Sequence, residues 1–429
     1  MSLRRSLIGA SCIIVQPLLL NVLSLPVTAY IIATLGPVDY GQWSVALALV
    51  ASFGVLTNLG LRSFFIRGVA RDPEMARVAF AEQLGLRILL AVGAGAVALT
   101  ACALLGYPAR VWECTTILVV GTVFSASAAV VSDLLTATEK LPVLSTINFV
   151  AGLSLSAASV VAMWFHTGPV GLAMAYLVGP VMTGVMSLAI VHRRMFPVRV
   201  TWSPRRCWTL LTEAKVLGFQ LFIMNIGFNA ESLMVPKMVG ISPYGYFAAG
   251  SLLPKRLEAI PDGLNTAFFP VMSRGFRQGA REGAASVLKL HLLMVGACVA
   301  VAIGVCVLAD PISRLLFPTQ FELCRTIMRI AVWYVPAIGV ANAMGYALNA
   351  AGRERDEARL AITGTVTSLA LSAVLIAKFG LMGACVGLVA KGVIAFMVRL
   401  RCIISVLRQG EVASIPAVAV VDHAMEQGV

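Results

Sequence analysis

The chain has 429 residues, 59% of them apolar and 12% charged, with a mean hydropathy of +0.90, where a soluble domain runs at about 45–50% apolar and about 25% charged. That excludes an ordinary soluble enzyme, and a chain so poor in charge would not stay solvated as a disordered one either. Its apolar stretches are about 20 residues long, the length a helix needs to cross a bilayer, so the sequence reads as an all-α, polytopic membrane protein.

In chain order, Arg4-Arg5 followed by a long apolar run has the outline of a signal peptide. The run reaches residue 35, well past the roughly 7–15 apolar residues of such a peptide, and reads as an uncleaved first transmembrane helix. Polar, Gly and Pro breaks then give twelve spans, over about 7–35, 42–60, 84–105, 115–136, 145–165, 172–191, 216–240, 244–272, 287–308, 326–351, 360–377 and 381–398. One alternating set of connections holds 23 of the 33 Lys and Arg residues, and the other set holds Arg110, Lys237, Arg314, Arg325 and Lys378. Such a bias predicts both termini in the cytoplasm. The net charge of +13 is then mostly topology; it points to no nucleic acid, although segment 192–215 suits anionic headgroups.

The chain also matches itself at an offset of 204 residues: Gly36, Tyr40-Gly41-x-Trp43 with Gly240, Tyr244-Gly245-x-Phe247, and Ser63-Phe64-Phe65 with Ala267-Phe268-Phe269. At offset 212, Gly168-x-x-Gly171 matches Gly380-x-x-Gly383. Six spans per half enter the membrane in the same direction, the parallel-repeat plan of several secondary transporters. The expected domains are a six-helix bundle over 1–191, a basic linker over 192–215, a second bundle over 216–405 and a cytoplasmic tail over 406–429.

Cysteines are scattered singly, without metal-type spacing; a disulfide between Cys114 and Cys324 is conceivable from their outer placement alone. No H-E-x-x-H, G-x-S-x-G or P-loop occurs, and the predicted outer loops are short, which disfavours an enzyme. What stands out is charge inside apolar spans, which costs about 2.5–3.5 kcal/mol per residue on insertion scales and tends to face a wet interior. Lys255 and Arg256 lie near the middle of span eight, and Lys391 at similar depth in span twelve. Lys255, Glu258 and Asp262 share one helical face, and Glu231 lies in span seven between Asn225, Asn229 and the outer end. At equivalent repeat positions the first half has Asn58 for Asp262 and Val27 for Glu231. Two readings stand for Lys255: a salt bridge to Glu258 or Glu231, or a cavity wall that binds an anion. Lys391 is either a cavity cation or a side chain snorkelling to an interface. Asp262 and Asp133 read as carboxylates near cytoplasmic helix ends, Lys237 and Arg329 as anchors, and Pro17, Pro26, Pro254, Pro261 and Pro270 as candidate kinks.

The motif Leu35-Gly36-Pro37-Val38-Asp39-Tyr40-Gly41, the exit Gly60-Leu61-Arg62, the triplet Asn229-Ala230-Glu231, then Tyr244-Gly245-Tyr246-Phe247-Ala248-Ala249 and Phe268-Phe269-Pro270-Val271-Met272-Ser273 together resemble the oligosaccharide and polysaccharide flippases of the multidrug/oligosaccharidyl-lipid/polysaccharide exporter superfamily. The resemblance covers about residues 1–405, with Glu231 where Asp is frequent. It implies two six-helix bundles facing one another in a V around a central cavity. The implied cargo is a polyprenyl-pyrophosphate-linked oligosaccharide, moved from the cytoplasmic to the outer leaflet of a bacterial inner membrane for surface polysaccharide synthesis. On that reading Lys255, Arg256, Lys391 and Arg62 bind substrate, while Glu231, Glu258 and Asp262 are candidates for coupling to H+ or Na+, with no other cofactor. Partners would be the lipid-linked oligosaccharide, membrane lipids and polysaccharide polymerase machinery. The competing readings are a drug or organic-cation antiporter of the same fold and a membrane glycan polymerase or acyltransferase.

Overall fold

In a computed structural model, residues 3–201, 204–278, 280–317 and 321–409 are described, and their regular structure is helical throughout. Residues 410–429 of the expected tail lie outside the described residues. Helices are what so apolar a chain must form, because hydrocarbon offers no partner to an open N–H or C=O.

The elements are α1 (Leu3–Gly54), α2 (Leu61–Arg71), α3 (Ala76–Leu104), α4 (Ala109–Ala137), α5 (Leu141–Trp164), α6 (Gly168–Arg194), α7 (Pro204–Phe228), α8 (Ala230–Met238), α9 (Ile241–Gly250), α10 (Leu252–Leu257), α11 (Ala259–Gln278), α12 (Ala280–Val307), α13 (Ala309–Leu316), α14 (Phe321–Ala331), α15 (Tyr334–Ala350) and α16 (Glu354–Gln409). Eight stretches among the described residues are long and apolar enough to cross a membrane. Two of them carry a non-helical glycine, Gly36 in α1 and Gly380 in α16, at the turns expected between spans one and two and between spans eleven and twelve. Expected spans seven and eight are broken into α7–α8 and α9–α11, and a short α13 occupies the expected outer loop 310–325. The chain is a multi-pass membrane protein.

Contacts divide the chain into two compact units, one of residues 1–249 with 311–324 and the other of residues 250–310 with 325–429. The first unit has an apolar core in which Phe80 and Leu84 of α3 meet Val130 and Leu134 of α4, Ile147 of α5 and Val191 of α6. In the second, Met272 and Phe276 of α11 pack with Val287 of α12 and Ala347 and Leu348 of α15. Outward-facing Leu288, Leu292 and Leu293 on α12 are the surface a bilayer covers.

The repeat is visible in the backbone. Gly36 and Gly240 both have positive φ (70° and 121°), as do Gly168 and Gly380 (69° and 55°), so each matched pair supplies the conformation that only glycine adopts without strain. A Cβ on Gly41 would strike the carbonyl oxygen of Ile241, and one on Gly245 would strike that of Pro37. Since 37 and 41 become 241 and 245 at offset 204, the two turns grip each other reciprocally, the form of an isologous contact. At offset 204 two helix ends fall within one residue of each other, α1 at Gly54 and α10 at Leu257.

Candidate functional site

The breaks around span eight follow from its prolines. Pro254 and Pro261 have no N–H to offer the carbonyls of residues 250 and 257, and the helix is interrupted at Ser251 and Glu258. Local bonds bridge the interruptions: the Lys255 amide donates to the Ser251 carbonyl (3.0 Å) and the Asp262 amide to that of Glu258 (3.3 Å). The predicted face of Lys255, Glu258 and Asp262 therefore survives.

That face meets α15. Tyr334 Oη donates to Glu258 Oε1 at 3.1 Å, and Asn342 Nδ2 donates to Asp262 Oδ1 at 3.2 Å. The charges of Asp262, Lys391 and Lys255 all act on the Glu258 carboxylate. One polar cluster inside the second unit thus gathers four of the residues singled out from sequence, and Arg256 is half-buried beside it on α10. Tyr334 and Asn342 escaped sequence reasoning; each is a single polar group in an apolar run, a weak signal. Lys255 and Lys391 balance Glu258 and Asp262 within this group, and Arg256, next to Lys255 on α10, is a further cation.

Glu231 and Arg62 lie in the first unit, in different surroundings. Glu231 is fully buried at the start of α8, after the break at Asn229. Asn225 Nδ2 donates to the carbonyls of Ala51 and Ser52 at 3.0 Å each and so ties α7 to α1, while Asn229 Nδ2 donates to the Asn225 carbonyl at 3.0 Å. Tyr244 shares a hydrogen bond with Ser232 and feels the charge of Glu231.

Arg62 belongs to a cluster that was illegible in sequence. Asp133, near the end of α4, is 2% exposed and pairs with Arg87 (2% exposed) at 2.6 Å and with Arg62 (54% exposed) at 3.5 Å. Asn58 Oδ1 accepts from Arg87 Nη2 at 3.3 Å and from the Arg62 amide at 3.2 Å. Gln83 Nε2 donates to the Leu61 carbonyl at 3.3 Å. A left-handed turn at Leu59 and Gly60 is thereby pinned from α3, and it holds the Arg62 guanidinium partly open to solvent. The missed signal is Gln83 and Arg87, four residues apart on one face of an apolar helix. Asn58 and Asp262, equivalent by the repeat, each anchor a polar cluster in their own unit.

Lys237, Arg325 and Arg329, near the expected outer helix ends, have local partners. Lys237 Nζ donates to the Leu105 carbonyl and sits 4.1 Å from the centre of the Tyr107 ring, and Arg325 and Arg329 both reach Asp310, at 3.2 and 3.5 Å. Cys114 and Cys324 are buried free thiols, so the conceivable disulfide is absent. Among the described residues no group of three His, Cys, Asp or Glu could hold a metal.

Comparison with known proteins is consistent with this architecture. A family profile described as polysaccharide biosynthesis protein matches residues 6–276. No curated protein sequence matches the chain. Among solved structures, the fold is similar to the inward-facing conformation of a multidrug resistance MATE family transporter of the MOP superfamily, with TM-score 0.71 and 17% identity over 90% of this chain and 95% of that one. It is likewise similar to lipid II flippase MurJ in an inward closed conformation, with TM-score 0.75 and 12% identity over 91% of this chain and 86% of that one. A third is a MOP superfamily transporter from Pyrococcus furiosus whose binding pocket has reverse polarity, with TM-score 0.59 and 16% identity over 94% of each chain.

Proposed function

The chain belongs to the polysaccharide biosynthesis protein family, and from that premise we propose that it is a flippase for a polyprenyl-pyrophosphate-linked oligosaccharide, working by alternating access from the cytoplasmic to the outer leaflet of a bacterial inner membrane. The observation that carries the reading is the charge at the interrupted span eight, where Lys255 and Lys391 both act on Glu258 and Arg256 follows Lys255 in sequence. A pyrophosphate and several sugars must cross about 30 Å of hydrocarbon, and cations inside an apolar span suit such an anion. A broken helix supplies what the sugars need, carbonyls freed by Pro254 and Pro261 and the side chains of Tyr334 and Asn342, while the prenyl tail stays in lipid.

Arg62, held out by the Arg87–Asp133 pair, is a second phosphate contact on this reading. Glu258, Asp262 and Glu231 are the candidates for coupling transport to H+ or Na+, and polymerase machinery would consume the flipped product. The fold is shared with a multidrug transporter, so charge is what separates the cargoes: Lys255 and Lys391 already meet Glu258 and Asp262, and Arg256 tips the balance towards an anion.

The test is a strain lacking the protein, complemented with Lys255→Gln/Arg256→Gln at matched membrane abundance. Each charge-assisted contact is worth about 1.5–3 kcal/mol, so the double variant should lose at least tenfold in export, with the lipid-linked glycan accumulating on the inner leaflet. Export within about twofold of wild type refutes the anion site.

A further inference from the structure

On the first unit a cavity of about 550 Å³ opens where three chain reversals meet: the link between α2 and α3, the link between α4 and α5, and the end of α6. Its size is that of a small-molecule site, within about 300–1,000 Å³. Arg77, Lys140 and Arg194 line it, each from a different element, together with Glu74 and Glu139. All five side chains are exposed, and among the described residues none of them forms an ion pair within 4.0 Å, although opposite charges share the rim. The wall below is apolar: Val69 and Phe196 line the cavity and also belong to the core of that unit.

We infer that this cavity binds the phosphate headgroup of an anionic glycerophospholipid, as a site separate from the Lys255 cluster. Three cations against two carboxylates leave one net positive charge, which matches one phosphodiester. The hydroxyls of a glycerol headgroup can donate to Glu74 and Glu139. The apolar wall gives the first methylenes of the acyl chains a surface, which a free phosphate could not use. The three loops belong to the cation-rich set, the set that lies at the cytoplasmic headgroup level on the charge-bias rule.

The experiment uses the purified full-length protein in micelles doped with phosphatidylglycerol, phosphatidylethanolamine or phosphatidylcholine, and reads lipid retention by native mass spectrometry and melting temperature. Phosphatidylglycerol should be retained and stabilising, with the other two at least tenfold weaker. Each basic side chain at such a surface is worth about fivefold, so Arg77→Gln/Lys140→Gln/Arg194→Gln should weaken retention roughly a hundredfold. Arg77→Lys/Arg194→Lys keeps the charge and should keep the lipid, and the control Arg359→Gln on α16 should change nothing. If the triple variant does not fold, Arg194→Gln alone should still lose about fivefold. The assignment is overturned by equal retention of phosphatidylcholine or phosphatidylethanolamine, by unchanged retention in the triple variant or in Arg194→Gln, or by full displacement with millimolar inorganic phosphate. Because the readout is lipid binding, loss of the glycan-export reading leaves this site standing.

Discussion

Asp133 shows how far an isolated residue can mislead. Its position four residues from the end of α4 marks only a carboxylate near a helix end, and the structure buries it against Arg87 at 2.6 Å. Removing one partner of such a pair leaves an uncompensated buried charge, whereas removing both can be nearly neutral. Asp133→Asn should therefore cost about 3–5 kcal/mol, read as a lowered melting temperature of the protein in micelles, and Arg87→Met/Asp133→Leu should recover most of the loss. A double variant no better than the single would mean that the loss does not come from an uncompensated charge on Arg87. The second unit uses the same device within one element: Arg399 makes a bidentate contact with Glu357, at 2.7 Å from Nη2 to Oε1 and 2.9 Å from Nε to Oε2, and ties together the two arms of α16 on either side of Gly380. Both pairs were hidden in sequence because their members are 46 and 42 residues apart, and no local spacing rule reaches that far.

At the level of elements, legibility depended on whether a break announces itself. Gly36, Gly240, Gly168 and Gly380 did, because a glycine at each end of a repeated turn marks a positive φ. The interruption at Asn229 did not, since an Asn inside an apolar run reads as a buried polar residue and not as a helix end. Of the candidate kinks, Pro254 and Pro261 each lie three residues beyond an interruption, whereas in α1 the described non-helical residue is Gly36 and not Pro17 or Pro26. The reciprocal packing of Gly41 on Ile241 and Gly245 on Pro37 makes a sharp prediction. Gly41→Ala and Gly245→Ala each push a methyl into a backbone carbonyl that cannot swing aside, and each should destabilise by about 1–3 kcal/mol. Their effects should be similar in size, because the repeat gives them the same environment. At Gly93, where an added Cβ meets nothing within 4 Å, the same change should be neutral or should stabilise by up to about 1 kcal/mol. Melting temperatures of the three variants in one detergent decide it, and a harmless Gly245→Ala would remove the repeat contact.

For the molecule as a whole, the class, the helical architecture and the family were legible because they rest on features spread over many residues: hydropathy, span length and motifs that recur in order. The local clusters were not, because each depends on where a few side chains from distant elements meet. Orientation is another summed quantity, and 23 of the 33 cations fall in one alternating set of loops, a bias that the insertion machinery reads as cytoplasmic. Single cysteines placed in a background without native cysteines test it directly. Arg110→Cys and Arg314→Cys, from the cation-poor set, should react with a membrane-impermeant maleimide on intact spheroplasts. Arg355→Cys, at the start of α16 and from the cation-rich set, should react only after the membrane is opened. The three sites are exposed, so failure to label after permeabilisation is not expected at any of them. The inverted pattern would turn the protein over in the membrane. It would put the Arg77, Lys140 and Arg194 cavity on the outer face, and it would reverse the direction in which a pyrophosphate held at Lys255 is delivered.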